Sequence, residues 1–285
     1  MNLCDINEIK ALLARHGFRF SKSMGQNFLI QSWVPQNIAA ASGAHEGCGV
    51  LEIGPGIGPL TTQLAQLAGK VVCVELDKAL LPILSETLSG RDNVEIISGD
   101  ILKTDISALV ADHFSHLTPI ACANLPYNIT TPAITALIEA GCFSSITVMI
   151  QREVARRICA APGTGDYGAF SVYCQYHTQT ELLFDVPPEC FIPAPKVTSS
   201  VLRLTPKPAP ESVDDETHFF KVVRAAFAQR RKTLLNGMHA AFGSQLSKEE
   251  LLALFQMCGL PSDIRGERLS IEEFAKLSKA IRSKL

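Results

Sequence analysis

Asn124-Leu125-Pro126-Tyr127 places four chemically different groups in a row directly after the apolar run Ile120–Ala123. The amide of Asn124 offers a side-chain carbonyl, and Leu125, followed by a proline, offers a backbone carbonyl. Tyr127 offers a flat face. Acceptors beside an aromatic face suit a reaction at the exocyclic amine of a base: they hold the amine hydrogens so that the nitrogen lone pair turns toward an electrophile. A base stacked on the ring gains ~1–3 kcal/mol. The same stretch is compatible with a capped turn and a core tyrosine, so its meaning depends on its place in the chain. An apolar run that stops at such a loop reads as a buried strand, and open α/β sheets bind ligands at the carboxyl ends of their strands.

A second constellation lies upstream. The run Val50–Ile53 leads into Gly54-x-Gly56-x-Gly58 and then a helical pattern, so backbone amides can approach a ligand closely. Glu75 ends the next β-branched run, about 20 residues on, where an acid accepts bonds from ribose hydroxyls. Nicotinamide and S-adenosylmethionine sites share both features. The nicotinamide fingerprint is G-x-G-x-x-G, whereas Pro59 follows a G-x-G-x-G spacing here. Glu52, inside the first strand, and Asp100, in Ser98-Gly-Asp100, add two further acids. Three acids around one cleft suit a cofactor carrying an amine, a ribose and an adenine better than one carrying two phosphates. That points to S-adenosylmethionine, with Asp100 equally placed to cap a helix.

The elements that must position these groups follow from short β-branched runs alternating with helical stretches. Strands are expected at Val50–Ile53, Lys70–Val74, Val94–Ser98, Pro119–Ala123 and Ile146–Ile150, with crossover helices such as Leu60–Ala68 and Lys78–Leu88. This order predicts an α/β fold with a parallel sheet covered on both faces. A helix over the stretch beginning Arg152 and two strands, Thr180–Val186 and Val197–Leu204, are expected next, the strands closing the sheet edge as an antiparallel pair. The Pro-rich, acidic stretch 205–215 reads as a linker. From His218 the pattern is helical, with breaks expected at Gly237, Gly243 and the Gly259-Leu-Pro261 turn. The expected domains are 1–205, binding the cofactor, and 206–285, a small helical domain.

With 285 residues, 47% of them hydrophobic, the chain can bury a substantial core. No apolar run approaches the ~20 residues of a membrane span, and the amino terminus lacks a signal-peptide pattern, so a cytoplasmic location is expected. The nine cysteines are scattered without C-x-x-C or paired His spacing, which predicts reduced, mostly buried thiols and no metal. A formal net charge of −2 leaves any attraction to nucleic acid to local patches.

These motifs, together with Lys22-Ser-Met-Gly-Gln-Asn-Phe-Leu29, Gln151–Arg157, Asp166-Tyr-Gly-Ala-Phe-Ser-Val172, Phe191–Val201 and Phe227–Asn236, resemble the KsgA-type ribosomal RNA adenine dimethyltransferases over nearly the whole chain. The resemblance implies a Rossmann-like methyltransferase sheet with an antiparallel last strand, a small all-α carboxyl-terminal domain, and S-adenosylmethionine as cofactor. It implies dimethylation of N6 on two adjacent adenosines near the 3′ end of small-subunit (16S) rRNA, in late assembly of the subunit, by a monomer. Gln26, Asn27 and Leu29 would cover the methionine end; Glu52, Gly54 and Gly56 would line the carboxypropyl and ribose side. Glu75 with Leu76 would hold the ribose, Asp100 and Ile101 the adenine, and Asn124, Leu125 and Pro126 the transfer centre, with Tyr127 and Phe191 on opposite faces of the target base. Phe191 also reads as an ordinary core aromatic. Ala169-Phe170 departs from the family pattern, where a basic residue is expected after Gly168.

RNA contact is expected from the basic clusters Arg15–Lys22, Arg152 with Arg156 and Arg157, and Arg230-Arg231-Lys232. Charge runs of this kind also occur as solvated helix faces. Two other readings stand beside the first: a large-subunit methyltransferase of the antibiotic-resistance type, and a non-catalytic binder acting as an assembly checkpoint.

Overall fold

In the computed structural model, which describes residues 1–20, 25–229 and 231–285, the expected strands form with their ends moved by one or two residues. The chain runs through α1 (Ile6–Arg15), β1 (Phe28–Leu29), α2 (Trp33–Ala41), β2 (Cys48–Ile53), α3 (Pro59–Leu67), β3 (Lys70–Glu75), α4 (Leu81–Thr87) and β4 (Val94–Ser98). It continues with α5 (Ile106–His113), β5 (Thr118–Asn124), α6 (Thr130–Glu139), β6 (Ser145–Gln151), α7 (Arg152–Ile158), α8 (Ala169–His177), β7 (Thr178–Val186), β8 (Phe191–Ile192) and β9 (Ser199–Pro206). Four helices follow: α9 (Glu216–Ala228), α10 (Leu234–Phe242), α11 (Lys248–Cys258) and α12 (Ile271–Arg282).

Seven strands form one sheet in the order β4-β3-β2-β5-β6-β9-β7. The pairs from β4 to β6 are parallel. The last strand in sequence, β9, inserts antiparallel beside β6, with Gln151 opposite Ser199 and Ile146 opposite Leu204. The fold is therefore a Rossmann-like α/β sheet with an antiparallel final strand. Its order reverses between β2 and β5, which lie side by side although two strands intervene in sequence. At such a switch point the helices after neighbouring strands go to opposite faces and leave a crevice at the carboxyl ends. The glycine turn follows β2 and the Asn124–Tyr127 stretch ends β5, so both open into that crevice.

The single helix expected over Lys78–Leu88 is a 3-10 turn at Lys78–Leu80 followed by α4. Pro82 explains the division, because it has no N–H to continue a helix from upstream but fits the first turn of a new one. The sheet is packed on apolar side chains that alternate along the strands. One cluster gathers Val50, Val71, Ile120 and Met149 with Val34, Ile38, Leu60 and Leu64 of α2 and α3. Another holds α1 by Ile9, Leu12 and Leu13 against Ile57, Leu80 and Ile83. Each such side chain contributes ~1.5–3 kcal/mol relative to exposure.

The chain divides into two units, Met1–Ala155 with Glu181–Pro206, and Arg156–Thr180 with Lys207–Leu285. The second unit is helical, and Tyr167, Val172 and Tyr176 join its core beside Phe219, Val222, Met238 and Phe242. Asp215 caps α9 after the Pro-rich linker, accepting from the His218 N–H. Ser247 with Glu250 and Ser270 with Glu273 form capping boxes on α11 and α12. Gly243 and Gly259 end α10 and α11 as expected, but Gly237 does not interrupt α10. A side chain there would run into the Ala225 carbonyl of α9, so this glycine permits a close helix crossing.

Candidate active site

One cleft in the first unit, with about 1080 Å³ of empty space including its open mouth, is lined by residues from six segments: Gly25–Leu29, Glu52–Leu60, Val74–Asp77, Leu80, Gly99–Ile101 and Asn124–Ile129. It brings together Gln26, Asn27, Leu29, Glu52, Gly54, Gly56, Glu75, Leu76, Asp100, Ile101, Asn124, Leu125, Pro126 and Tyr127. Glu52 and Ile129, 77 positions apart, meet because β2, β3, β4 and β5 all end at the same sheet edge.

Gly54 and Gly56 both have φ of 64°, a left-handed conformation that costs a residue with a Cβ ~1–2 kcal/mol. A Cβ on Gly56 would sit 3.3 Å from the Phe28 ring, and one on Gly54 3.6 Å from Pro126. These two turns therefore leave a cradle that side chains would fill. Glu75 closes it: Oε2 accepts from the Gly56 N–H at 3.3 Å and Oε1 from the Asp77 N–H at 2.8 Å. Burial pushes its carboxyl pKa up, and the N–H donors of Asp77 and Gly56 oppose the rise. Each oxygen keeps lone-pair capacity for a ligand hydroxyl, so the cradle and its acid fit the ribose of S-adenosylmethionine.

Glu52 enters the cleft differently from the sequence expectation. It is 1% exposed and its carboxyl faces Thr61 and Cys73, whose Sγ lies 3.5 Å from Oε2. Burial raises its pKa to about 7. Asp100 is a helix cap as well as a lining residue, accepting from the Leu102 N–H at 3.1 Å, with Lys103 Nζ at 3.8 Å. Asp77, a site residue beyond those expected from the sequence, accepts from Gln26 Nε2 at 2.7 Å while its N–H holds Glu75. Its position two residues after Glu75 was the available signal.

On the opposite wall, Leu125 donates its N–H to the Met149 carbonyl of β6 at 3.1 Å, which fixes the start of the loop. Leu125 is buried and Asn124 and Tyr127 are half-buried. The Tyr127 hydroxyl lies 2.6 Å from Ser199 Oγ on β9. Phe191 is not brought to this cleft. It is 3% exposed and packs in the cluster beneath the sheet, while β8 pairs with β1 as Leu29 opposite Phe191. A two-stranded ladder directs successive side chains to opposite faces, and here Phe191 takes the buried one.

The cations are distributed over both units. Arg152 lies 3.6 Å from Asp185, whereas Arg156, Arg157, Arg231 and Lys232 are exposed. Arg230 and residues 21–24, part of the amino-terminal basic stretch, fall outside the described residues. Among the described residues no group of three His, Cys, Asp or Glu side chains could hold a metal ion, and no helix is long and apolar enough to cross a membrane.

The chain is similar to known proteins in sequence and in fold. The Ribosomal RNA adenine dimethylase family matches residues 17–282. Ribosomal RNA small subunit methyltransferase A of Geobacillus thermodenitrificans is 47% identical over 277 residues, 95% of this chain and 94% of that protein. The protein of the same name from Streptococcus pneumoniae is 44% identical over 286 residues, covering 99% of both. Among solved structures, a dimethyladenosine transferase from Plasmodium falciparum superposes with a TM-score of 0.76 at 25% identity, covering 90% of this chain and 98% of that one. The 23S rRNA methyltransferase ErmE does so with a TM-score of 0.67 at 25% identity, covering 90% and 100%. With a family match running from residue 17 to residue 282 around this cleft, the chain belongs to the ribosomal RNA adenine dimethylase family.

Proposed function

We propose that the protein is an S-adenosylmethionine-dependent methyltransferase that dimethylates N6 of two adjacent adenosines near the 3′ end of small-subunit rRNA, working as a cytoplasmic monomer in late subunit assembly. The observation that carries this reading is the meeting of the Gly54–Gly56 cradle and Glu75 with Asn124–Tyr127 in one cleft. The names borne by relatives at 44–47% identity support the small subunit as its target.

S-adenosylmethionine supplies a methyl group already activated on a sulfonium, so the protein need only bind, align and stabilise charge. Glu75 accepts from the ribose hydroxyls, with Leu76 beside it. Asp100 and Ile101 hold the adenine, while Gln26, Asn27 and Leu29 cover the methionine end. Glu52, Gly54 and Gly56 line the carboxypropyl and ribose side, the Glu52 carboxyl being held by Thr61 and Cys73. Asn124 and the Leu125 carbonyl hold the hydrogens of the target amine, and Tyr127 stacks the flipped base. A monomethylated amine keeps one hydrogen for these acceptors, so a second transfer uses the same geometry. Arg152, Arg156, Arg157, Arg230, Arg231 and Lys232 contact rRNA phosphates.

Incubation with labelled S-adenosylmethionine and unmethylated small subunits, followed by primer extension, tests the reading. Stops at two adjacent adenosines near the 3′ end are expected. Methylation of large-subunit RNA instead would assign the antibiotic-resistance activity, and binding without incorporation would assign the checkpoint role.

A further inference from the structure

We propose that Ser199 is a positioning residue for methyl transfer, its hydroxyl fixing the plane in which Tyr127 presents its ring to the target base; this rests on the stacking role of Tyr127. The bond between Tyr127 Oη and Ser199 Oγ measures 2.6 Å, at the short end for O–H···O contacts, and Ser199 is wholly buried.

The bond spans a strand. Leu125 ties the loop to β6 through the Met149 carbonyl, and Ser199 sits on the far side of β6, opposite Gln151. Tyr127 therefore reaches over the end of β6 and anchors the loop to β9. Thr130 Oγ1 lies 3.4 Å from the Pro126 carbonyl and 3.3 Å from that of Tyr127, contacts that hold the backbone. They leave the rotation of the ring to its own contacts, and the hydroxyl bond is directional.

The start of β9 is held by other means. Arg152 donates its N–H to the Thr198 carbonyl at 3.0 Å, and Ser200 donates to Asp185 Oδ1 at 2.5 Å. Asp185 Oδ2 in turn lies 3.6 Å from Arg152 Nη1. Neighbouring residues on a strand point to opposite faces, so Ser200 serves the strand end while Ser199 serves the loop. Removing the Ser199 hydroxyl alone thus frees the ring without detaching β9.

A freed ring samples orientations in which the base is stacked but its amine is misdirected, a defect of the transition state more than of cofactor binding. Ser199→Ala and Tyr127→Phe, which delete the same bond from either side, are each expected to lower kcat on unmethylated small subunits roughly three- to tenfold. Affinity for S-adenosylmethionine, read by calorimetry, should stay unchanged. The double variant should be no slower than the slower single, and Ser199→Thr, which keeps a hydroxyl, should recover most of the rate. Losses that multiply in the double variant, a Ser199→Ala rate equal to wild type, or a Ser199→Ala loss falling equally on cofactor affinity would each overturn the proposal. Tyr127→Ala separates it from the reading beneath it. A large loss there with an unaffected Ser199→Ala removes only the positioning role, whereas full turnover in Tyr127→Ala removes the stacking role and this one with it.

Discussion

Glu75 and Asn124 face the same cleft with different chemical duties, which their variants should separate. Glu75→Ala removes a carboxylate that closes the glycine cradle, and bonds to a charged acceptor are worth ~1.5–3 kcal/mol each. A fall in S-adenosylmethionine affinity of at least about tenfold is expected by calorimetry; unchanged affinity would take Glu75 out of the site. Asn124→Ala should lower kcat far more than cofactor affinity if the amide orients the reacting amine as proposed. Equal losses in both would make Asn124 a cofactor-holding residue. Glu52 supplies a pH dependence. Its pKa is raised by burial from 4.5 to about 7, so the folded protein keeps a proton that the unfolded chain releases. Stability therefore falls as pH rises from about 4.5 through about 7, by roughly 3 kcal/mol from this group. Glu52→Gln should remove that slope, gaining on the wild type at pH 8 relative to pH 4 in urea unfolding. Parallel stability curves would show that Glu52 is ionised in the folded state.

At the scale of the element, a glycine inside a helix has two opposed effects. Replacing Gly237 with alanine in an exposed helix would stabilise by ~1 kcal/mol through helix propensity. In α10 the added Cβ meets the Ala225 carbonyl of α9, and overpacking costs about 1–3 kcal/mol. Backbone cannot move aside as a flexible side chain can, so overpacking should win and Gly237→Ala should lower the Tm of the protein. A rise in Tm would mean that α9 and α10 separate freely. The same competition explains why Gly237 looked like a break: composition reports a helix-weakening residue, and only the crossing partner shows why the helix tolerates it. Pro82 shows the converse, since its local rule holds and divides an expected helix into a turn and α4.

For the whole molecule, a net charge of −2 gives no general attraction to RNA. A single stacked adenine also carries too little information to select two positions in a subunit. Recognition must then depend on shape and local cations. Arg231 and Lys232 are exposed on the helical unit; changing both to alanine should weaken small-subunit binding and flatten its salt dependence by about one to two ion equivalents. Cofactor affinity should not change, and Asn124→Ala should still bind subunits. Filter binding over a salt series measures both, and an unaltered slope would make these side chains merely solvated charges of the turn between α9 and α10 and shift attention to Arg156 and Arg157.

The sequence by itself determined where the strands lie along the chain, the glycine turn after β2, the acid ending β3 and the Asn124–Tyr127 loop. Those features are local: β-branched runs, a left-handed backbone at Gly54 and Gly56, and a proline stop express the needs of the few residues that contain them. Only the tertiary structure decided which groups share a wall of the cleft. Glu52 turned to Thr61 and Cys73, Phe191 went beneath the sheet, and Arg156–Thr180 packed with the helices. Tyr127 found Ser199, 72 positions away, because β9 inserts antiparallel beside β6. Such partners are chosen by strand register and by competition for buried space, and neither leaves a periodic mark on the residues that end up in contact.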